Sequence, residues 1–181
     1  MKATTITILT FGRFEKGFLD KISDVVVQEF NSMVSFKEAH IDISEFYDPV
    51  RRQYNGDKLL KEVAALNGAG DSKTIGLFNV DLFIPILTYI FGQAQLNGKT
   101  AIASYFRLSN ERYGMPADDN LLLQRFTKEV IHELGHTFGL IHCHTPPCVM
   151  RSSTYVEDID QKETRLCAKC RILLDIKSCK F

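Results

Sequence analysis

The stretch His132-Glu133-Leu134-Gly135-His136-Thr137-Phe138-Gly139-Leu140-Ile141-His142 has the spacing HExxHxxGxxH. Residues four apart on a helix share one face about a turn apart, so His132 and His136 can grip one ion between them. Imidazole nitrogen suits zinc. Glu133 follows a ligand directly and cannot comfortably bind metal from the same turn. It can reach a water in the open coordination position and act as general base. Gly139 permits the left-handed conformation that ends a helix, after which the chain can turn back and offer His142 as third ligand. Three histidines and one open position make a catalytic zinc site rather than a structural one. The competing reading is a set of ordinary helix histidines over a core. The glycine and the third histidine at the right offsets weigh against it. His144 is a rival third ligand, but it abuts Thr145-Pro146-Pro147, while His142 holds the motif spacing.

A second constellation follows at once. Cys143-x4-Cys148 and Cys167-x2-Cys170 are two short chelating turns. Paired cysteine knuckles at this spacing make a closed tetrahedral site, typical of structural zinc. Buried free thiols or two disulfides are the alternatives, and compartment bears on the choice. The N-terminus alternates polar and apolar residues instead of forming an unbroken apolar run, so no secretory signal is expected. The apolar region from Val80 to Phe91 is interrupted by Asp81, Pro85 and Thr88 and is too short to span a bilayer. The expectation is a cytoplasmic protein whose thiols stay reduced, with two zinc ions per chain. Because Cys143 follows His142, the two metal sites would share one peptide bond. The cysteine site would fasten a C-terminal segment with little apolar content of its own. The fifth cysteine, Cys179, reads as a bystander.

The elements that must position these groups can be traced in the 181 residues. Hydrophobic content of 45% suffices for a core, and 22 basic against 22 acidic residues leave no net charge for nucleic-acid binding. Alternation predicts strands over 3–11 and 34–43, and helical spacing predicts a helix over 16–31. Pro49 and Asn55-Gly56 mark a loop, and a helix over 57–66 should end at Asn67-Gly68. Strands are expected over 74–78, 89–95 and 100–108, the last two joined by an Asn97-Gly98 turn. Met115-Pro116-Ala117-Asp118-Asp119 supplies the start of a long helix, capped by an aspartate and running to about Phe138, with Leu122, Phe126, Val130 and Leu134 as its apolar ridge. Arg125 and Lys128, preceding His132 on its own face, suggest that the histidines look into a wet cleft. The chain is then irregular until a last helix over 166–176. The fold class expected is α/β: a twisted mixed sheet of four to five strands packed on an active-site helix, with a small C-terminal subdomain stabilised by zinc. The 181 residues are expected to form one domain, with an upper part over 1–139 and a lower part over 140–181.

HExxHxxGxxH followed by a methionine, Met150, resembles the metzincin zinc proteases. The added Cys143-x4-Cys148-x-Met150 and Cys167-x2-Cys170 resemble the archaemetzincins specifically, as do Val80-Asp81-Leu82-Phe83, Phe91-Gly92-Gln93-Ala94 and Ser104…Arg107-Leu108. The interval between Met150 and Cys167 is 16 residues, one shorter than that family's usual spacing. The resemblance implies a compact α+β metalloprotease with catalytic zinc on His132, His136 and His142. It makes Glu133 the proton carrier, Met150 an apolar floor under the ligands, and the four cysteines a second zinc site. It also implies peptide substrates, with aminopeptidase-type action suggested for relatives. Some metzincins place a tyrosine two residues after the methionine. Here that position is Ser152, and Tyr155 is the nearest candidate for its role, against ordinary packing.

The expected protein is thus a monomeric zinc metallopeptidase acting on peptide or protein, with no nucleic-acid or membrane partner. Substrate would lie beside an edge strand, 100–108 being the candidate, and Glu129 or Glu111 could anchor a free amine. Two rivals have other chemistries. A metal-dependent endoribonuclease with a related three-histidine motif would carry glycine where Glu133 stands. A non-catalytic zinc-ribbon interaction module would not need an intact Glu133.

Overall fold

The computed structural model describes residues 4–67 and 72–178; Gly68 and Cys179 lie outside them. Five strands form the main sheet: β1 (Thr5–Thr10), β2 (Met33–Glu38), β5 (Lys73–Phe78), β8 (Gly92–Ala94) and β9 (Thr100–Ser104), in the order β2-β1-β5-β9-β8. The first four in that order run parallel and β8 is antiparallel to β9, which bears out a mixed sheet. Parallel strands covered on both faces need apolar residues on both sides. Ile6, Ile8, Ile75 and Leu77 accordingly face one core, and Leu9 and Ile102 face another.

On the first face lie helices α1 (Lys16–Phe30) and α3 (Asp119–Thr137), packed through Ile22, Val26, Phe126 and Val130. The β9 residues on this side are Ala101 and Ala103, both fully buried, and such small side chains let α3 lie close to the sheet. On the other face α2 (Gly56–Ala65) contributes Leu59, Leu60 and Val63. Beside it is a second sheet that periodicity did not foretell. It comprises β3 (Tyr47–Asp48), β4 (Gln53–Asn55), β6 (Leu82–Ile84) and β7 (Leu87–Ile90), ordered β3-β4-β6-β7. Strands of two to four residues carry too little alternation to be read, and the stretch around Pro49 therefore reads as loop.

Three further expectations are corrected. The strand over 89–95 is split at Phe91, so that β7 belongs to the second sheet and β8 to the first. The strand over 100–108 ends at Ser104, whose hydroxyl donates to Val80 O (2.6 Å) and accepts from Val80 N (3.1 Å); the chain then turns into a 3-10 segment at Phe106–Leu108. Strand β9 is also not an edge. It pairs with β5 and β8, so its ladder groups are taken, and the outer strands of this sheet are β2 and β8. The Asn97-Gly98 turn is as expected, with Asn97 at φ 55 and Gln95 N–H donating to Thr100 O at 2.9 Å.

The lower part buries more apolar side chains than its composition suggests. Val149, Met150, Val156, Ile159, Leu166 and Leu174 are all buried and join the main core. Helix α4 (Val156–Asp160) contributes two of them and helix α5 (Ala168–Ser178) one. Polar ties reinforce this: the buried Glu29 carboxylate on α1 accepts from Leu166 N–H at 3.1 Å and pairs with Arg171. Among the described residues no helix is long and apolar enough to cross a membrane.

Candidate metal centre

Helix α3 starts where Asp118 accepts a hydrogen bond from Leu121 N–H at 2.9 Å, a side-chain cap on a free donor. It stops at Gly139, φ 83. There Gly139 N–H donates to His136 O (2.8 Å) and Leu140 N–H to Gly135 O (3.0 Å), the paired bonds of a Schellman turn. That turn has a chemical consequence, because it aims Leu140 O at the ring of His136, 2.7 Å from Nδ1. His132 Nδ1 lies 2.8 Å from Val149 O in the same way. A carbonyl oxygen only accepts, so both Nδ1 atoms carry the proton and both Nε2 atoms present bare lone pairs. Those Nε2 atoms are 3.1 Å apart. Two lone pairs so placed repel unless a cation lies between them, and zinc–nitrogen bonds of about 2.0–2.1 Å in a tetrahedral site require a separation near this. His142 closes the triangle, its ring 5.2 Å from that of His132 and 5.0 Å from that of His136. The ligand atoms of all three lie within 4.8 Å of one another. Burial pushes the pKa of each imidazole down, most for His132, which favours the neutral form a metal needs. His144 is exposed and not in this cluster.

Glu133 lies beside the histidines on the helix and packs against β8. A Cβ built on Gly92 would stand 2.6 Å from Glu133 Cγ, so the glycine is what lets strand and carboxylate meet. Burial raises the Glu133 pKa well above the usual carboxylate range, and the Glu129 carboxyl one turn earlier adds to the rise. Lys162 opposes it. This lysine is 5% exposed and donates to Val149 O at 3.4 Å; burial lowers its own pKa while Glu129 and Glu133 hold it up. The sequence reading missed Lys162, which sits in an irregular stretch with no motif around it. Glu129 had a signal, its position four before Glu133, but it is 5% exposed and hydrogen-bonded to Glu133, so it does not anchor a substrate amine. Glu111 lines a separate cavity with Asn79 and Arg112.

The wet cleft inferred from Arg125 and Lys128 is also corrected. Arg125 is 3% exposed and Lys128 is 7%. The Arg125 guanidinium forms a bidentate pair with Asp160 (both 2.7 Å) and donates to Leu108 O (2.8 Å), while Lys128 donates to Ile159 O (3.0 Å). These charges fasten the lower part to α3 instead of facing solvent. Met150 is fully buried under the same helix: a Cβ on Gly135 would meet its Sδ at 2.5 Å. Tyr155 is 62% exposed at the start of α4.

The four cysteines gather as expected. Cys143 and Cys167 Sγ are 3.8 Å apart, and Cys148 and Cys170 Sγ 3.7 Å. These are too long for disulfides, and zinc–sulfur bonds of about 2.3 Å at a tetrahedral angle give about 3.8 Å. The N–H of Thr145 donates to Cys143 Sγ (3.5 Å) and that of Cys167 to Cys148 Sγ (3.4 Å), contacts that favour the thiolate form. Burial pushes the Cys167 thiol up, but hydrogen bonds led by the Cys170 N–H outweigh it and bring its pKa down to about 6. Burial pushes Cys170 up. The His142–Cys143 peptide joins the two clusters, and Cys143 N–H donates to Met150 O at 2.9 Å.

Comparison with known proteins adds to this geometry. The family model described as Peptidase family M54 matches residues 5–176. An archaemetzincin of Thermococcus kodakarensis is 42% identical over 125 residues, covering 68% of this chain and 67% of that protein. The crystal structure of an archaemetzincin from Methanopyrus kandleri superposes with a TM-score of 0.86 at 32% identity, covering 98% of this chain and 97% of that one. A structure described as a zinc-dependent peptidase from Methanocorpusculum labreanum gives 0.84 at 31% identity, covering 93% and 99%.

Proposed function

The chain belongs to peptidase family M54, the archaemetzincins, and is a zinc-dependent metallopeptidase; from that premise we propose that it cleaves peptides held along the free edge of β8, with Glu133 as the proton carrier. His132, His136 and His142 would hold the catalytic zinc, and Cys143, Cys148, Cys167 and Cys170 a second, structural one. Zinc when bound polarises a carbonyl and lowers the pKa of water. The chain's own residues supply the rest. Glu133, its proton affinity raised by burial, takes the proton of the attacking water and passes it to the leaving amine. Lys162 and Glu129 fix its charge environment. Strand β8 offers unpaired backbone groups to an extended peptide directly above Glu133.

The observation that carries this reading is the pair of bare Nε2 atoms 3.1 Å apart on the same helix as a carboxylate pressed against an open strand edge. The test is hydrolysis of a mixed peptide library by zinc-loaded protein and by its Glu133→Ala variant. Cleavage by the first and not the second supports the reading, and equal cleavage or none by both overturns it. Free and acetylated N-termini in the same library decide whether the action is aminopeptidase-type. Metal analysis should return about two zinc ions per chain, one for each ligand set.

A further inference from the structure

Strand β8 begins at Gly92 over Glu133 and runs toward the turn where Asn97 N–H donates to His136 O at 2.8 Å. A peptide added antiparallel to β8 therefore passes Ala94 first, then Gly92, and leaves over Phe91 and Tyr89. Tyr89 packs on Phe91 (ring centroids 5.5 Å apart) and ties to the lower part through its hydroxyl, which donates to Thr154 O at 2.8 Å. On its other side the Arg107 guanidinium lies 4.2 Å over its ring. There a cleft of about 420 Å³ opens, lined by Arg51, Arg52, Arg107, Arg112, Asp81 and Tyr113 among others.

Four arginines face this cleft with one carboxylate. That carboxylate is fully engaged, since Asp81 receives both Nε and Nη2 of Arg107 at 2.6 Å. Among the described residues Arg51, Arg52 and Arg112 have no ion pair. Two are nevertheless held in place. Arg51 sits over the Phe83 ring (4.5 Å) and donates to Leu87 O (3.0 Å), and Arg112 stacks 3.6 Å over Phe106. Guanidinium groups held on aromatic faces keep their outer N–H donors free and lose little freedom on binding. A chain of no net charge has thus gathered three unpaired cations at the exit of its substrate edge.

We propose that this cleft is a specificity subsite that receives a carboxylate of the peptide on the C-terminal side of the cleaved bond, an acidic side chain or the terminal carboxylate. The inference rests on the peptidase reading above for the direction of the peptide, and its test is chosen to separate the two. Binding is measured on zinc-loaded Glu133→Ala protein with paired decapeptides. One has Glu residues and a free C-terminus in its second half, and the other has Gln and an amide. The acidic peptide is expected to bind about tenfold tighter, the size of one charge-assisted pair, and the preference should shrink as salt is raised. In the Arg51→Gln/Arg112→Gln background the ratio should fall to near one. Arg112→Lys, which keeps the charge, should retain part of it. Equal binding of the two peptides, no measurable binding, or a preference unchanged by the double substitution overturns the proposal. Free-acid and amide partners differing only at the terminus separate side-chain from terminal recognition. Preference without turnover by the wild type would sink the peptidase reading alone, and turnover without preference would sink the subsite alone.

Discussion

Gly92 and Glu133 touch at a distance no other residue at position 92 could keep: a methyl there would stand 2.6 Å from Glu133 Cγ, 3.0 Å from Cδ and 2.8 Å from Ile102 O. The carboxylate must move, and because the carbonyl is backbone of the β8–β9 ladder the strand must shift with it. Gly92→Ala is therefore expected to lower kcat about tenfold to a hundredfold, the cost of displacing a catalytic group by a fraction of an ångström to an ångström. Zinc content should be unchanged, and steady-state kinetics beside metal analysis check both.

Met150 fills the space under Gly135, where the missing Cβ would meet its Sδ at 2.5 Å, and it is fully buried. Met150→Ala should cost about 2–5 kcal/mol through the cavity it leaves, and Met150→Leu less than about 1.5 kcal/mol. Denaturant unfolding of the zinc-loaded variants distinguishes a floor that acts by packing from one that needs sulfur, for which the leucine variant would be as damaged as the alanine.

Arg125 ties α3 to α4 through Asp160. Arg125→Met should destabilise the fold by about 3 kcal/mol, the low end for breaking a buried pair, because a third of the Asp160 side chain remains in solvent. A double-mutant cycle with Asp160→Asn reads the pair term directly. An additive cycle would show that the pair contributes nothing.

The cysteine site should matter for folding and not for chemistry. Cys170→Ser should drop the metal content by about one ion per chain and lower Tm, while the remaining folded protein keeps the Glu133-dependent turnover. Loss of turnover at full histidine-site occupancy would mean that the His142–Cys143 peptide transmits more than position.

Asp158 accepts from Thr154 N–H and Tyr155 N–H at 2.9 Å each, and these bonds hold its pKa below 3.8. The unfolded group titrates at the ordinary value, so the stability it contributes is present above that and lost as pH falls through the lower folded value. Asp158→Ala should cost about 1 kcal/mol, as loss of the returning half of a capping box does. The difference from wild type should stay flat from pH 7 to pH 5. A difference that already shrinks at pH 5 would contradict the assignment.

The sequence by itself determined which atoms could meet a metal. His132, His136 and His142 follow from helical spacing and one glycine, and the cysteine pairs from chelating turns, because these are local geometries that a few consecutive residues impose. The strands β1, β5 and β9 as single stretches, and helix α3 with an aspartate at its start, were legible for the same reason. What lay between distant segments was not. The edge of the sheet is a matter of strand order, and nothing local to 92–94 distinguishes an outer strand from an inner one. Lys162 reaches Glu129 and Glu133 across some thirty residues of chain. Arg125 and Lys128 read as solvated because charge prefers water, and only the arrival of Asp160 and the Ile159 carbonyl made their burial affordable. Tertiary structure alone decided these things, since a buried charge or an open edge is defined by what packs against it.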